Sequence, residues 1–288
     1  MFLTLDGLSK GAVYAAFALA LVLIWRSTRI VNFAQGALAV VTAYIAYSVT
    51  GATGSYWVGF AAAIVSGLVL GAIVERGVMR FVEQAPPLNA VTVGLGLVLL
   101  IQGILGMVYA NDFRFFPAPV GQQALKAGDL ALVSPFDLLV FGTVVLVMLL
   151  LALLFTRTRV GLRMRAAAFA PEVSRLLGVN VGRMLTLGWA LAAAVGALAG
   201  MLVIPTGLGL HPTAMDLVFV SAFTAAVVGG FDSPVGAVVG GLVVGLVLSY
   251  VTGYFGADLT PIAVLVLLLA VLLVRPGGLF AGAKARHV

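Results

Sequence analysis

Two short polar stretches interrupt an otherwise apolar chain. Val31-Asn32-Phe33-Ala34-Gln35-Gly36 and Gly229-Gly230-Phe231-Asp232-Ser233-Pro234 each stand just before a long apolar run. Carboxamides, a carboxylate and a hydroxyl hold polar solutes by hydrogen bonds. Glycine and proline beside them break helices and leave N–H groups free at a positive helix end. The two stretches are weakly similar, as the two halves of a duplicated transporter would be. Asn32 and Asp232 also suit plain N-caps at a membrane surface, and residue type alone leaves both uses open. The solute-contacting candidates are therefore Asn32, Gln35, Gly36, Asp232 and Ser233.

Other chemistries find little support. The chain has no cysteine, which removes disulfides, thiol catalysis and thiolate metal sites. His211 and His287 lie far apart, and no Ser-His-Asp arrangement or phosphate-binding G-x-x-x-x-G-K-[ST] loop occurs. The Gly94–Gly96 and Gly207–Gly209 "GLG" pairs suit helix packing or a loop better than a nucleotide. Ion-driven carriers place ionisable groups inside their spans. Here Glu75, Asp216 and Asp232 fall near segment ends, where capping or interfacial roles account for them.

The elements that must position the polar stretches follow from composition. Hydrophobic residues make up 62% of 288 and charged residues only 9%, with a mean hydropathy of +1.20. One water-soluble core cannot hide so much apolar surface, so the solvent is lipid. Apolar runs fall at 8–25, 31–50, 56–75, 88–110, 135–155, 184–205, 214–231, 235–254 and 258–274. They are about twice the ~10-residue alternating segments of a membrane barrel. The expected fold is an all-α integral membrane protein, a polytopic bundle of about 8–10 transmembrane helices with broken or re-entrant members. The seventh run is the weakest, being short, holding Asp216 and ending in two glycines. The 35 glycines suit close helix packing in lipid. The first run has almost no basic residues before it and reads as the first span rather than a cleaved leader.

Charge orients the bundle. With nine crossings, one side collects Arg26, Arg29, Arg76, Arg80, Arg157, Arg159, Arg163, Arg165, Arg175, Arg183, Arg275, Lys284 and Arg286, which is 13 of the 16 basic residues. That side is cytoplasmic by the positive-inside rule, and the N-terminus is outside. Residues 111–134 then form an extracytoplasmic loop and 156–183 a cytoplasmic one, within a single membrane domain 1–288. In the cytoplasmic loop, Pro171 suits a first helical position, Glu172 a first turn and Gly178 a C′ cap. The two-turn helix so punctuated puts Val173, Leu176 and Leu177 on one apolar face and lets Glu172 pair with Arg175. Such a short helix needs a surface: the membrane domain itself, anionic lipid, or a cytoplasmic partner.

At this point the residues resemble a known family, the integral membrane permeases of branched-chain amino acid ABC importers. "GLSKGAVYAAFALALVLIW" with "RIVNFAQGALAVVTAYIAY", "TRTRVGLRMRAAAFAPEVSRLLGVNVGRM", "AAAVGALAGML", "AVVGGFDSPVGAVVGGLVVGL" and "VLLVRPGGLF" carry the resemblance over residues 7–280. Gln35 stands where that pattern often has His, Ala170 where Asp often precedes Pro-Glu, and Phe231-Asp232 where Leu-Gly is common. The resemblance implies a multi-pass permease of a bacterial or archaeal cytoplasmic (inner) membrane, with no enzymatic activity of its own. Its implied partners are a second homologous permease, two ATP-binding cassette subunits, a periplasmic or lipid-anchored solute-binding protein and membrane lipid, with no nucleic acid. ATP and Mg would be used by the ATPase partners and no cofactor bound by this chain. ATPase docking is implied for Arg165, Pro171, Glu172, Val173, Arg175, Leu176, Leu177 and Gly178. Relatives handling urea or short amides, and a stand-alone carrier or channel, remain the competing readings.

Overall fold

The computed structural model describes residues 2–82, 86–123, 126–127, 130–131, 134–206, 209–275 and 277–280, so Lys284, Arg286 and His287 lie outside the described residues. Eleven α-helices follow in order: α1 (Phe2–Thr28), α2 (Gln35–Thr53), α3 (Tyr56–Gly77), α4 (Pro87–Tyr109), α5 (Pro135–Arg157), α6 (Arg159–Phe169), α7 (Pro171–Leu176), α8 (Val181–Val203), α9 (Asp216–Gly229), α10 (Pro234–Phe255) and α11 (Thr260–Val274). One two-residue ladder, β1 (Lys126–Ala127) with β2 (Leu130–Ala131), interrupts the all-helical pattern in the outer loop. Among the described residues, eight helices are long and apolar enough to cross a membrane.

The ninth, α9, has 14 residues. At 1.5 Å per residue it rises only ~21 Å against a hydrocarbon core of ~30 Å. The weak seventh run is thus a broken pass, flanked on its outer side by residues 204–206 and 209–215. Ring pairs fix its direction: Phe17 meets Phe219 and Trp25 meets Phe231, so α9 runs parallel to α1. The nine-pass parity survives with one pass only partly helical.

The apolar α1 is buried on nearly every side, with residues 15–24 at most 2% exposed. A helix apolar all round belongs inside other helices. It packs antiparallel on α10 through small residues. A Cβ on Gly11 would stand 2.8 Å from the Leu242 Cα, and Gly7 and Gly245 are equally crowded. Lipid offers apolar contacts as good as leucine, so close backbone approach, not hydrophobicity, holds such pairs. Helix α8 is the second central element, while most of α4 and α11 is exposed.

The segment 156–183 is more ordered than its punctuation suggested. Besides α7 it forms α6, capped by Thr158, whose Oγ1 accepts from the Gly161 N–H at 3.0 Å. The buried face of α6 is Gly161, Met164 and Ala167.

Candidate translocation site

The α1–α2 break is built by local hydrogen bonds. Ser27 and Thr28 hydroxyls donate back to the Leu23 and Ile24 carbonyls. Arg29 then turns left-handed (φ 60°) and donates its N–H to the Trp25 carbonyl, closing α1. Asn32 Oδ1 accepts from the Ala34 N–H at 3.0 Å, an Asx turn that starts the next element. Helix α2 begins at Gln35, four residues later than the apolar run suggested, with Ala34 at its N-cap. Asn32 is therefore not a cap.

Gln35 has no exposed surface and Asn32 only 2%. The Gln35 Nε2 donates to the Ala192 carbonyl at 2.8 Å, and its Oε1 accepts from Asn32 Nδ2 at 2.8 Å. Ala192 is the central residue of α8 (Val181–Val203). The break thus sits at mid-height of the bundle, latched to a central helix. Gly196 makes this possible, because any Cβ there would overlap the Gln35 amide. Glutamine supplies one donor and one acceptor at once, as a neutral histidine does, so it fills the position without a titratable group.

The start of α9 lies at the same height. A Cβ on Gly36 would stand 3.5 Å from the Phe219 Cβ and 3.6 Å from the Met215 Cβ. Two helix N-termini, with their positive ends, are thereby brought side by side in the middle of the bundle. Asp216, in the first turn of α9, is not a cap: both its oxygens accept from the Gln102 amide of α4, at 2.9 and 3.1 Å. Phe33, Phe219 and Phe223 stack around the junction. Gln102 carried no motif, and only the packing of α4 reveals it.

On the inner side the two polar stretches meet. Arg29 pairs with Asp232 at 2.5 Å. Ser233, not Asp232, caps α10, accepting from the Gly236 N–H at 2.9 Å with Pro234 at the first position. The Leu279 and Phe280 N–H groups donate to the Val228 and Gly229 carbonyls, satisfying the last turn of α9. Of the five expected path residues, Asn32, Gln35 and Gly36 are buried at mid-height, Asp232 is exposed on the inner side and Ser233 is half-buried beside it.

Glu75, expected beside Arg76, instead bonds Arg80 at 3.0–3.2 Å and accepts from the Thr186 hydroxyl. This buried network ties α3 to α8 at their inner ends. On the outer side, Leu210 pairs with Arg114 through both backbone bonds. His211 stands against Phe113 with ring centroids 4.4 Å apart.

The α7 region takes the punctuation read from the sequence. Pro171 is first, Glu172 lies in the first turn, and Gly178 (φ 80°) sits in a Schellman end, with the Val179 N–H on the Ser174 carbonyl. No Glu172–Arg175 ion pair forms among the described residues. Val173, Leu176 and Leu177 are 55%, 88% and 78% exposed. Arg165 and Arg175 are exposed with them.

Broken passes that meet at a mid-height junction are an arrangement found in solute permeases. The chain belongs to the family described as branched-chain amino acid transport system / permease component, whose model matches residues 3–275. It is 27% identical over 295 residues to the high-affinity branched-chain amino acid transport system permease protein LivH of Escherichia coli, covering 98% of this chain and 96% of that one. It is 27% identical over 298 residues to BraD, the corresponding permease protein of Pseudomonas aeruginosa, with the same coverage. A probable LivH of Methanocaldococcus jannaschii is 26% identical over 273 residues, 91% of this chain and 86% of that one. Among solved structures, a chain of PsaBC from Streptococcus pneumoniae, in complex with Fab, matches 94% of this chain and 91% of its own length. Its TM-score is 0.51 at 14% identity, a likeness of fold.

Proposed function

We propose that this chain is the membrane-spanning half of an ABC importer for branched-chain or closely related aliphatic amino acids in a bacterial or archaeal cytoplasmic membrane. It works with a second homologous permease, two ATP-binding cassette subunits and a solute-binding protein. ATP and Mg act in the ATPase partners, and this chain binds neither. The solute crosses by alternating access, passing the junction where the α1–α2 break meets the start of α9. The names of the full-length relatives support the solute class.

The single observation that carries the ATP-driven reading is the bare apolar face of α7 beside the arginines of α6. A cluster of exposed leucines next to cations marks a protein contact. Arg165 and Arg175 supply charge to an acidic rim, and Leu176 and Leu177 the apolar centre. Covering a leucine contributes about 1.5–3 kcal/mol, so Leu176→Asp lowers ATPase affinity tenfold or more. The test is co-purification of the ATPase subunits and solute uptake with Leu176→Asp and Glu172→Lys. Both should be lost while membrane insertion persists. Intact assembly and uptake would remove the docking role of α7, and uptake by a wild-type chain that co-purifies with no ATPase subunit would return the stand-alone carrier reading.

A further inference from the structure

A cavity of about 460 Å³ opens on the outer side, walled by the outer parts of α1 and α5, the end of α8 and the first turn of α9. Its volume falls in the ~300–1,000 Å³ range of small-molecule sites. Its lining carries Asp6, Lys10 and Asp137 together with Val13, Val140 and Leu217. Lys10 lies eight residues into a 27-residue helix. Its side chain is about half exposed and pairs with Asp6 one turn away, beside the cavity.

The charges are held in place yet incompletely used. Asp6 Oδ2 accepts from Lys10 Nζ at 2.8 Å and from the Ser249 hydroxyl of α10 at 2.7 Å. Asp137 Oδ2 accepts from the Ser134 N–H and hydroxyl in a capping box. Among the described residues both carboxylates keep a second oxygen, and Lys10 two N–H groups, without such bonds. Two carboxylates and one ammonium beside apolar side chains in one cavity complement a zwitterion that carries an aliphatic side chain. The floor is the first turn of α9, which also touches Gly36 and Gln102 at the central junction.

We propose that this cavity is an outer holding site for one zwitterionic aliphatic amino acid. Lys10 receives its carboxylate, Asp137 its ammonium, and Val13, Val140 and Leu217 its side chain. The site rests on the reading of the chain as an amino-acid permease, and the experiment separates the two. Leucine uptake by the wild-type transporter, assembled with its ATPase and binding protein, is measured first; no uptake of any aliphatic amino acid overturns the reading itself. The chain has no native cysteine, so Ser9→Cys, at the cavity edge and assigned no solute contact, gives a unique thiol. A membrane-impermeant cationic methanethiosulfonate applied outside should modify it, cut uptake at least tenfold, and act at least threefold more slowly under saturating leucine. Thr53→Cys, away from the cavity, should be modified without effect. Lys10→Gln should lower uptake at least tenfold, and Lys10→Arg should restore most of it. Modification of Ser9→Cys that is absent, harmless or insensitive to leucine overturns the holding site while leaving the permease reading intact, as does wild-type uptake by Lys10→Gln.

Discussion

Replacing Gln35 by leucine tests the latch at the α1–α2 break. The two side chains are similar in size, so the substitution removes polar partners without opening a large hole. Asn32 Nδ2, 2% exposed, loses the acceptor it reaches at 2.8 Å. An orphaned buried donor costs about 1–3 kcal/mol. The bond to the Ala192 carbonyl adds a net loss of about 0.5–1.5 kcal/mol, modest because that carbonyl keeps its place in the α8 ladder. Better burial of leucine offsets about 1 kcal/mol. The net loss is about 1–3 kcal/mol, a fall in the melting temperature of the purified chain of about 3–9 °C. The sharper readout is the double variant with Asn32→Leu. Once Asn32 has no amide, losing Gln35 orphans nothing, so the two effects should fall short of additive by about 1 kcal/mol or more. Gln35→His, which keeps one donor and one acceptor, should retain most stability and uptake. An unchanged melting temperature for Gln35→Leu, or strict additivity with Asn32→Leu, would refute the latch.

Two further outcomes follow from the same packing. Gly196→Ala places a Cβ on the Gln35 amide and should destabilise as much as Gln35→Leu, by thermal melting, whereas Gly103→Ala, which faces open space, should not. Glu75→Gln should cost about 1–3 kcal/mol in denaturant unfolding. That is below the ~3–5 kcal/mol of a fully buried broken pair, because Arg80 is 45% exposed and partly solvated by itself.

The candidate site was legible in part. Helix-breaking residues at 31–36 and 229–234 marked both breaks, and charge parity put Arg29 and Asp232 on one side, where they pair. Their capping roles were not legible. An N-cap preference cannot say which of Asp232 and Ser233 turns inward, and the ion pair to Arg29, 203 residues away, decides it. Asp216 looked like a capping or interfacial acid because its partner Gln102 stands 114 residues earlier in a plain apolar run. Helix α6 escaped notice because its basic, glycine-containing sequence has a narrow apolar face that makes sense only against α1, α5 and α8.

By itself the sequence determined what is additive along the chain: the apolar lengths that fit a bilayer, the arginine asymmetry between its two sides, and the Pro171 and Gly178 signals that bound α7. These are local transfer energies and backbone preferences, and each residue contributes its share whatever it touches. Only the tertiary structure decided the depth of the α1–α2 break, the brevity of α9, the Gln35–Ala192 latch and the outer cavity. Lipid satisfies every apolar face about equally, so hydropathy cannot choose helix neighbours. The choice falls to where small residues such as Gly11, Gly196 and Gly245 let backbones approach, and to which buried amides then find partners.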